Sequence, residues 1–484
     1  MESLTIIRWL KNRWQCEGGY GEVLTVAFPL ILSTGTWAVQ HFVDRMFLTW
    51  YSPEAIAAAM PAGLLNFAIM CLFIGTAGYV NTFVAQYFGA NGLKRIGPAL
   101  WQGIYVALIG GIILLFFIPL AEPIFRFVGH EPLIQKNEIV YFQFLCLGAA
   151  PAVASTALSC FYSGRGRTWP IMWVNVFATA INLLMDYVLI FGKWGFPELG
   201  MKGAAIATVF SACFSFLAYI ALLSRVSYNQ KYHTIKGWRF NKDLFSRLMR
   251  YGLPSGIQFF LDIAGFTVFV LLMGRLGTVA LAATNITFNI NTLAFLPMIG
   301  SGLGISVLVG QNLGRNRPDL AEKCVYSGLH LTFFYIGCMA FLYVFVPGLF
   351  LWPFSAQADP KSFKEIREIS IVLLRFVAVY SLFDSMNIVF SSVLKGAGDT
   401  RYIMFTIVIL SFSILVIPSY AAIVLFHAGV YAAWAIAATY IIALGFVFFF
   451  RFLGGKWKSM RVIEEIPPSL PPGLPETPTG KLEP

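Results

Sequence analysis

Four carboxylates lie inside long apolar stretches of the 484-residue chain: Asp44, Asp186, Asp262 and Asp384. A charged side chain near the centre of a bilayer costs at least about 2.5 kcal/mol, so such residues usually mark the path of an ion or a substrate. The plain alternative is a carboxylate held by helix hydrogen bonds. Asp44 and Asp186 each fall about six residues before the far end of their runs, so at about 1.5 Å rise per residue they share a level. Gln40 sits one turn from Asp44, and Asn182 one turn from Asp186, on the same helix faces. Thr208 offers a hydroxyl from the following run. Two carboxylates, amides and a hydroxyl suit a proton or a hard cation such as Na+. Neighbouring carboxylates do not both ionise cheaply, so one proton stays exchangeable between them. A second set forms around Asp262, with Gln258 one turn away, and Asp384, flanked at helical spacing by Tyr380 and Asn387. Na+ could sit between either pair of acids.

The elements that must position these residues are membrane spans. Apolar residues make up 58% of the chain and charged residues 12%, with a mean hydropathy of +0.73. A soluble protein carries about a quarter charged residues, so this chain lacks the polar surface of one. Twelve runs are long enough to cross a bilayer: 24–49, 57–87, 98–120, 139–160, 169–192, 203–223, 250–275, 279–309, 325–351, 370–394, 402–426 and 430–453. The stretch between the sixth and seventh, Ser224 to Arg250, carries seven Lys or Arg against one acid, Asp243.

Six spans on each side of this linker are copies of one unit. A shift of 225 residues places Pro29 on Pro254, Gly75 on Gly300, Gln86 on Gln311, Gly89 on Gly314 and Asn91 on Asn316. Further on the shift is 232, and Gly164-Arg165-Gly166 meets Gly396-Ala397-Gly398. Such recurrence implies an internal repeat. None of the four buried acids has an acid at its equivalent position, so the two lobes should do different jobs.

The reading that follows is an all-α polytopic membrane protein of twelve transmembrane helices in two homologous six-helix bundles. Residues 1–23 are a cytoplasmic segment, 24–223 the first lobe, 224–250 the cytoplasmic linker and 251–453 the second lobe. Residues 454–484 form a cytoplasmic tail, basic and then Pro-rich and disordered. With the N-terminus inside, the inner segments hold about 23 Lys and Arg and the outer loops about 8, which sets both termini in the cytoplasm. The net charge of +11 is thereby a topology signal and calls for no nucleic acid. The seven Cys lack CxxC spacing and read as packing residues. No GxxxxGK[ST], HExxH or GxSxG run occurs, which argues against an ATP-driven pump or a membrane hydrolase. Duplicated helices with intramembrane acids are instead the pattern of an ion-coupled secondary transporter.

Several blocks, taken in order, resemble the multidrug and toxic compound extrusion (MATE) family. They are Pro29 with Val43-Asp44, Ala85-Gln86-Tyr87-Phe88-Gly89-Ala90-Asn91, Gln311-Asn312-Leu313-Gly314, Asn182 to Asp186, and Leu394-Lys395-Gly396-Ala397-Gly398-Asp399-Thr400. The resemblance runs from about residue 22 to 453 and implies a V of two bundles around a central cleft. It implies export of organic cations or amphipathic compounds in antiport with H+ or Na+, by alternating access and without a cofactor or enzymatic step. By the same resemblance, Asp44, Asn182, Asp186 and Thr208 match the first-lobe cation site of the DinF-like branch. Asp262, Tyr380 and Asp384 match the second-lobe site of the NorM-like branch, where the helix 7 acid is typically Glu. The lobe that binds the coupling ion stays open. The expected setting is the cell (inner or plasma) membrane, as a monomer in the lipid bilayer acting on a small drug-like molecule. The rival reading is a flippase for lipids or polysaccharide precursors. It would need a basic cleft, and Arg45 is the one intramembrane cation away from the span ends on this reading.

Overall fold

The structure, a computed structural model, describes residues 11–355 and 360–464. Within them it is helical throughout, without strands. Eleven helices are long and apolar enough to cross a membrane, and a bent pair supplies the twelfth span. The first lobe holds α1 (Tyr20–Tyr51), α2 (Pro53–Gly78) continued by α3 (Val80–Gly89), α4 (Ile96–Phe117), and a short outer helix α5 (Ala121–Val128). It continues with α6 (Pro132–Leu147), α7 (Ala149–Ser163), α8 (Trp169–Phe191) and α9 (Met201–Leu223). After the linker helix α10 (Val226–Tyr232), the second lobe holds α11 (Lys242–Gly274), α12 (Thr278–Gly314), α13 (Pro318–Phe345), α14 (Pro347–Ser355) and α15 (Pro360–Ala397). It closes with α16 (Thr400–Leu410), α17 (Ile417–Tyr420) and α18 (Val430–Leu453).

Local chemistry explains the breaks. α6 and α7 form one span bent by 42° at Gly148, where a Cβ would lie 2.9 Å from the Val209 side chain of α9. The α16–α17 span passes through π-turns at Ser411–Val416 and Ala421–Leu425. Pro418 has no N–H to give, and widening the turns on either side accommodates it without ending the span. Two expected boundaries move. The run 325–351 breaks at Val346, because the residue before Pro347 is pushed out of the helical region. The linker ends earlier than residue 250: the Asn241 side chain accepts from Leu244 N–H at 3.0 Å, and α11 starts at Lys242.

The repeat is visible in the backbone. Asn91 and Asn316, related by the 225 shift, both take a left-handed φ of 58°. Gly166 and Gly398, related by the 232 shift, also take positive φ. The lobes meet through equivalent surfaces, α1 on α12 and α11 on α2. The approach is close enough that a Cβ on Gly75 would fall 2.7 Å from Gly256 Cα, and one on Gly300 2.7 Å from Ile31 Cα.

At the end of the molecule that bears the linker, the lobes are tied by a reciprocal pair. Gln86 Nε2 donates to Gly396 O at 2.9 Å, and its repeat-mate Gln311 donates to Gly164 O at 2.8 Å. Tyr79 Oη adds a bond to Lys395 O at 2.8 Å. Gly89 lies against Gln311 O, where a Cβ would come within 2.0 Å, and Gly314 lies in the same way against Gln86 O. Among the described residues, no inter-lobe side-chain hydrogen bond lies further from this end than Thr34 Oγ1 to Leu296 O.

The tail also departs from expectation. Residues 456–459 form a 3-10 turn, Trp457 and Val462 are buried, and Glu464 is paired with arginines. The basic first part of the 454–484 segment is therefore packed, and so is Glu464, the one residue of the part expected to be disordered that falls within the described residues. The rest, from residue 465 on, lies outside the described residues.

Candidate functional site

In the first lobe, α1 and α8 pack side by side and bring Asp44 against Asp186. All three central groups are buried, Asp44 at 8% exposure and Asn182 and Asp186 at 0%. Neither oxygen of Asp186, neither amide atom of Asn182, nor Asp44 Oδ1 has a hydrogen-bond partner. Buried polar groups in folded proteins are almost always satisfied, so this many orphans in one place mark a site whose chemistry fits a proton or a cation. Two ionised carboxyls have nothing to donate to each other. A single proton held between them supplies the absent bond, and a cation would satisfy the same oxygens. Tyr141 of α6 feels both charges, a neighbour that no spacing along α1 or α8 announces. Gln40 and Thr208 do not join: among the described residues neither bonds to these carboxylates, and Thr208 donates to Ala204 O of its own helix.

The second lobe is built otherwise. Asp262 accepts from Gln258 Nε2 at 3.1 Å, and Asp384 accepts from Asn387 Nδ2 at 3.0 Å. Each carboxylate thus has an amide donor from its own helix, one turn away. The two acids act on each other electrostatically across α11 and α15, and Tyr380 beside Asp384 is buried. Tyr440 of α18 faces both acids. Lys395 also joins this group, its charge acting on Asp262. Lys395 stands in the last turn of α15, at a span end, and its charge still acts on an acid inside the bundle. Lys395 was legible in principle: eleven residues after Asp384, it falls three helical turns along on nearly the same face.

Between the lobes runs a chain of rings that the sequence did not single out. Trp37 meets His41 edge-on at 4.7 Å and Phe67 at 5.6 Å, and Phe67 meets Phe259 of the other lobe at 6.1 Å. It supplies an apolar, polarisable wall whose faces attract organic cations.

Twelve spans in two duplicated lobes, with carboxylates buried inside each, define a polytopic membrane transporter. The family profile MatE matches residues 29–188 and 254–421, one stretch in each lobe, and the chain belongs to that family. It is 27% identical over 393 residues to a probable multidrug resistance protein NorM of Brucella suis, covering 81% of this chain and 83% of the relative. It is 27% identical over 407 residues to multidrug resistance protein PmpM of Pseudomonas aeruginosa, covering 83% of each. Among solved structures, an outward-facing multidrug resistance MATE family transporter superposes with a TM-score of 0.82 at 17% identity, over 93% of this chain and 98% of that one. That likeness confirms the fold, two lobes of a MATE transporter.

Proposed function

We propose that this protein is a secondary active multidrug exporter that moves organic cations or amphipathic compounds outward in antiport with H+ or Na+. The observation that carries the reading is the set of orphaned polar atoms at Asp44, Asn182 and Asp186, a buried cluster whose oxygens fit a proton or a hard cation. The proton fits best, because two facing carboxyls need one hydrogen to bond to each other. The NorM and PmpM relatives, named for multidrug resistance, support the substrate class. The ring chain from Trp37 to Phe259 supports it independently.

The cycle is alternating access. Lys and Arg are concentrated in the segments on the linker side of the sequence, which supports an orientation with that end and both termini in the cytoplasm of a cell membrane. With the linker end shut, the cleft faces outward. Uptake of the ion neutralises the Asp44–Asp186 pair, lets α1 and α8 repack, and weakens the hold on a cationic substrate. The ion drives this only through its different affinity for the two states. The protein acts as a monomer. A flippase would need several cations in the cleft for a pyrophosphate, and Lys395, set against Asp262, supplies one.

Dye efflux from proteoliposomes under separately imposed proton and sodium gradients tests the reading. Transport that follows the proton gradient and is abolished by Asp44→Asn is expected. Unchanged gradient-driven efflux by that variant would overturn the first-lobe site, and absence of efflux under both gradients would overturn antiport.

A further inference from the structure

The reciprocal glutamine lock is symmetric, but what rests on it is not. Residues 460–464 run across the linker end in an irregular segment that bends at Val462 and Ile463. Val462 N–H donates to Gln86 Oε1 at 2.8 Å, so the amide that holds Gly396 with its nitrogen holds the tail with its oxygen. Two residues on, Glu464 meets three donors. Arg95, from the turn before α4, and Arg247, on the first turns of α11, both pair with it, and Tyr87 Oη donates to it at 2.9 Å. Burial acts to raise the pKa of Glu464, but the Arg247 and Tyr87 hydrogen bonds and the Arg247 charge outweigh it and hold the carboxyl below its usual range.

The other end of the segment is fixed in the second lobe. Trp457 is buried at 1% exposure, its ring stacked on Phe452 at 5.4 Å, and Lys458 pairs with Glu322 of α13 at 2.9 Å. A strap anchored in the second lobe and docked on Gln86, Tyr87 and Arg95 of the first, with Arg247 of α11 closing the site from the second, spans the seam that must part for the cleft to open inward. Its length leaves little slack: only three residues, Ser459 to Arg461, separate the Lys458 anchor from Val462.

We propose that Arg95, Arg247, Tyr87 and Gln86 form a receptor site for a short carboxylate-bearing segment, that its ligand is the chain's own residues 462–464, and that this docking holds the linker end shut. The transport-cycle meaning rests on the proposed function; the docking itself does not. Contacts made in one state alone shift the balance between states by their full differential strength. A charge-assisted pair flanked by a second arginine is worth about a tenfold shift toward the shut form. Because the folded carboxyl titrates below its ordinary value, the docking is fully present above the usual carboxylate range. It is lost as pH falls through the lowered value, so the latch is closed at neutral pH and yields to movement of the lobes.

The test is hydrogen–deuterium exchange on the full chain in lipid nanodiscs at neutral pH, for wild type, Glu464→Gln, Arg95→Gln and the double variant. The expected result is about tenfold faster exchange in residues 79–89 and 392–398 for Glu464→Gln, with the double variant no faster than the single ones. Exchange in α4 beyond residue 105 should stay at the wild-type rate, which separates unlatching from unfolding. Additive effects of the two variants, or wild-type exchange at the seam in Glu464→Gln, would overturn the proposal. Should α4 exchange also rise, the conservative Glu464→Asp variant decides: seam protection greater than that of Glu464→Gln supports the latch, and protection no greater than that of Glu464→Gln overturns it. The readout needs no substrate, so failure of the exporter reading would leave it standing.

Discussion

The two acid pairs differ in how they are satisfied. In the second lobe each carboxylate takes a hydrogen bond from an amide of its own helix, and Lys395 supplies an opposing charge. In the first lobe the carboxylates face each other with an unpartnered amide beside them. A carboxylate with donors in place is content to stay ionised. One facing another carboxylate in a dry site must find a proton or a cation, because an unpaired buried charge is the costlier state. The duplication supplied one scaffold, and the side chains equip its two copies differently: facing carboxylates without donors in the first lobe, and carboxylates with donors and a nearby lysine in the second.

The largest effect that could break this comparison is on coupled transport. Asp186→Asn should lower proton-driven efflux by about a hundredfold and Asp384→Asn by no more than about tenfold, if a proton-binding carboxylate contributes roughly twice the free energy of a positioning one. Initial rates in proteoliposomes at fixed gradients decide it, and the reverse order would exchange the roles of the lobes. A second contrast is one of sign. Replacing the orphaned amide in Asn182→Leu should stabilise the fold by about 1 kcal/mol while impairing coupling, because it removes buried groups that bond to nothing. Gln258→Leu should cost about 1 kcal/mol, because it strips Asp262 of its donor. Thermal unfolding of both variants in the same detergent gives the two signs, and like signs would erase the distinction. The smallest effect concerns Lys395. Lys395→Gln should tighten the apparent affinity for a monovalent cationic dye by about threefold with little change for a neutral one, since a like charge leaves the cleft. Equal shifts for both dyes would remove Lys395 from the cleft's field.

Much of this was legible along the chain. Gln258 and Asn387 were placed beside their acids by helical spacing alone, because residues one turn apart share a face whatever surrounds the helix. The spans and the repeat followed from apolar run length and from glycines that the structure shows at close inter-lobe approaches, such as Gly75 and Gly300. Gln40 was expected at the first-lobe site for the same reason, and Thr208 from its place on the following span and the family resemblance; neither reason is sufficient there. Whether their side chains reach Asp44 and Asp186 depends on how α1, α8 and α9 are rotated against one another, and Thr208 turns its hydroxyl to its own backbone. Tyr141 was missed because it comes from α6, with no periodic relation to either acid.

The sequence by itself determined that this is a duplicated twelve-span bundle and which four acids lie within its apolar runs. Hydropathy and helical period are local quantities, and those features depend on nothing else. Only the tertiary structure decided that Asp44 and Asp186, 142 residues apart, face each other unpartnered, that Lys395 reaches toward Asp262, and that Glu464 leaves the expected tail to bridge Arg95 and Arg247. Each of these joins groups on different elements, and the packing that brings them together is set by every contact in the bundle at once.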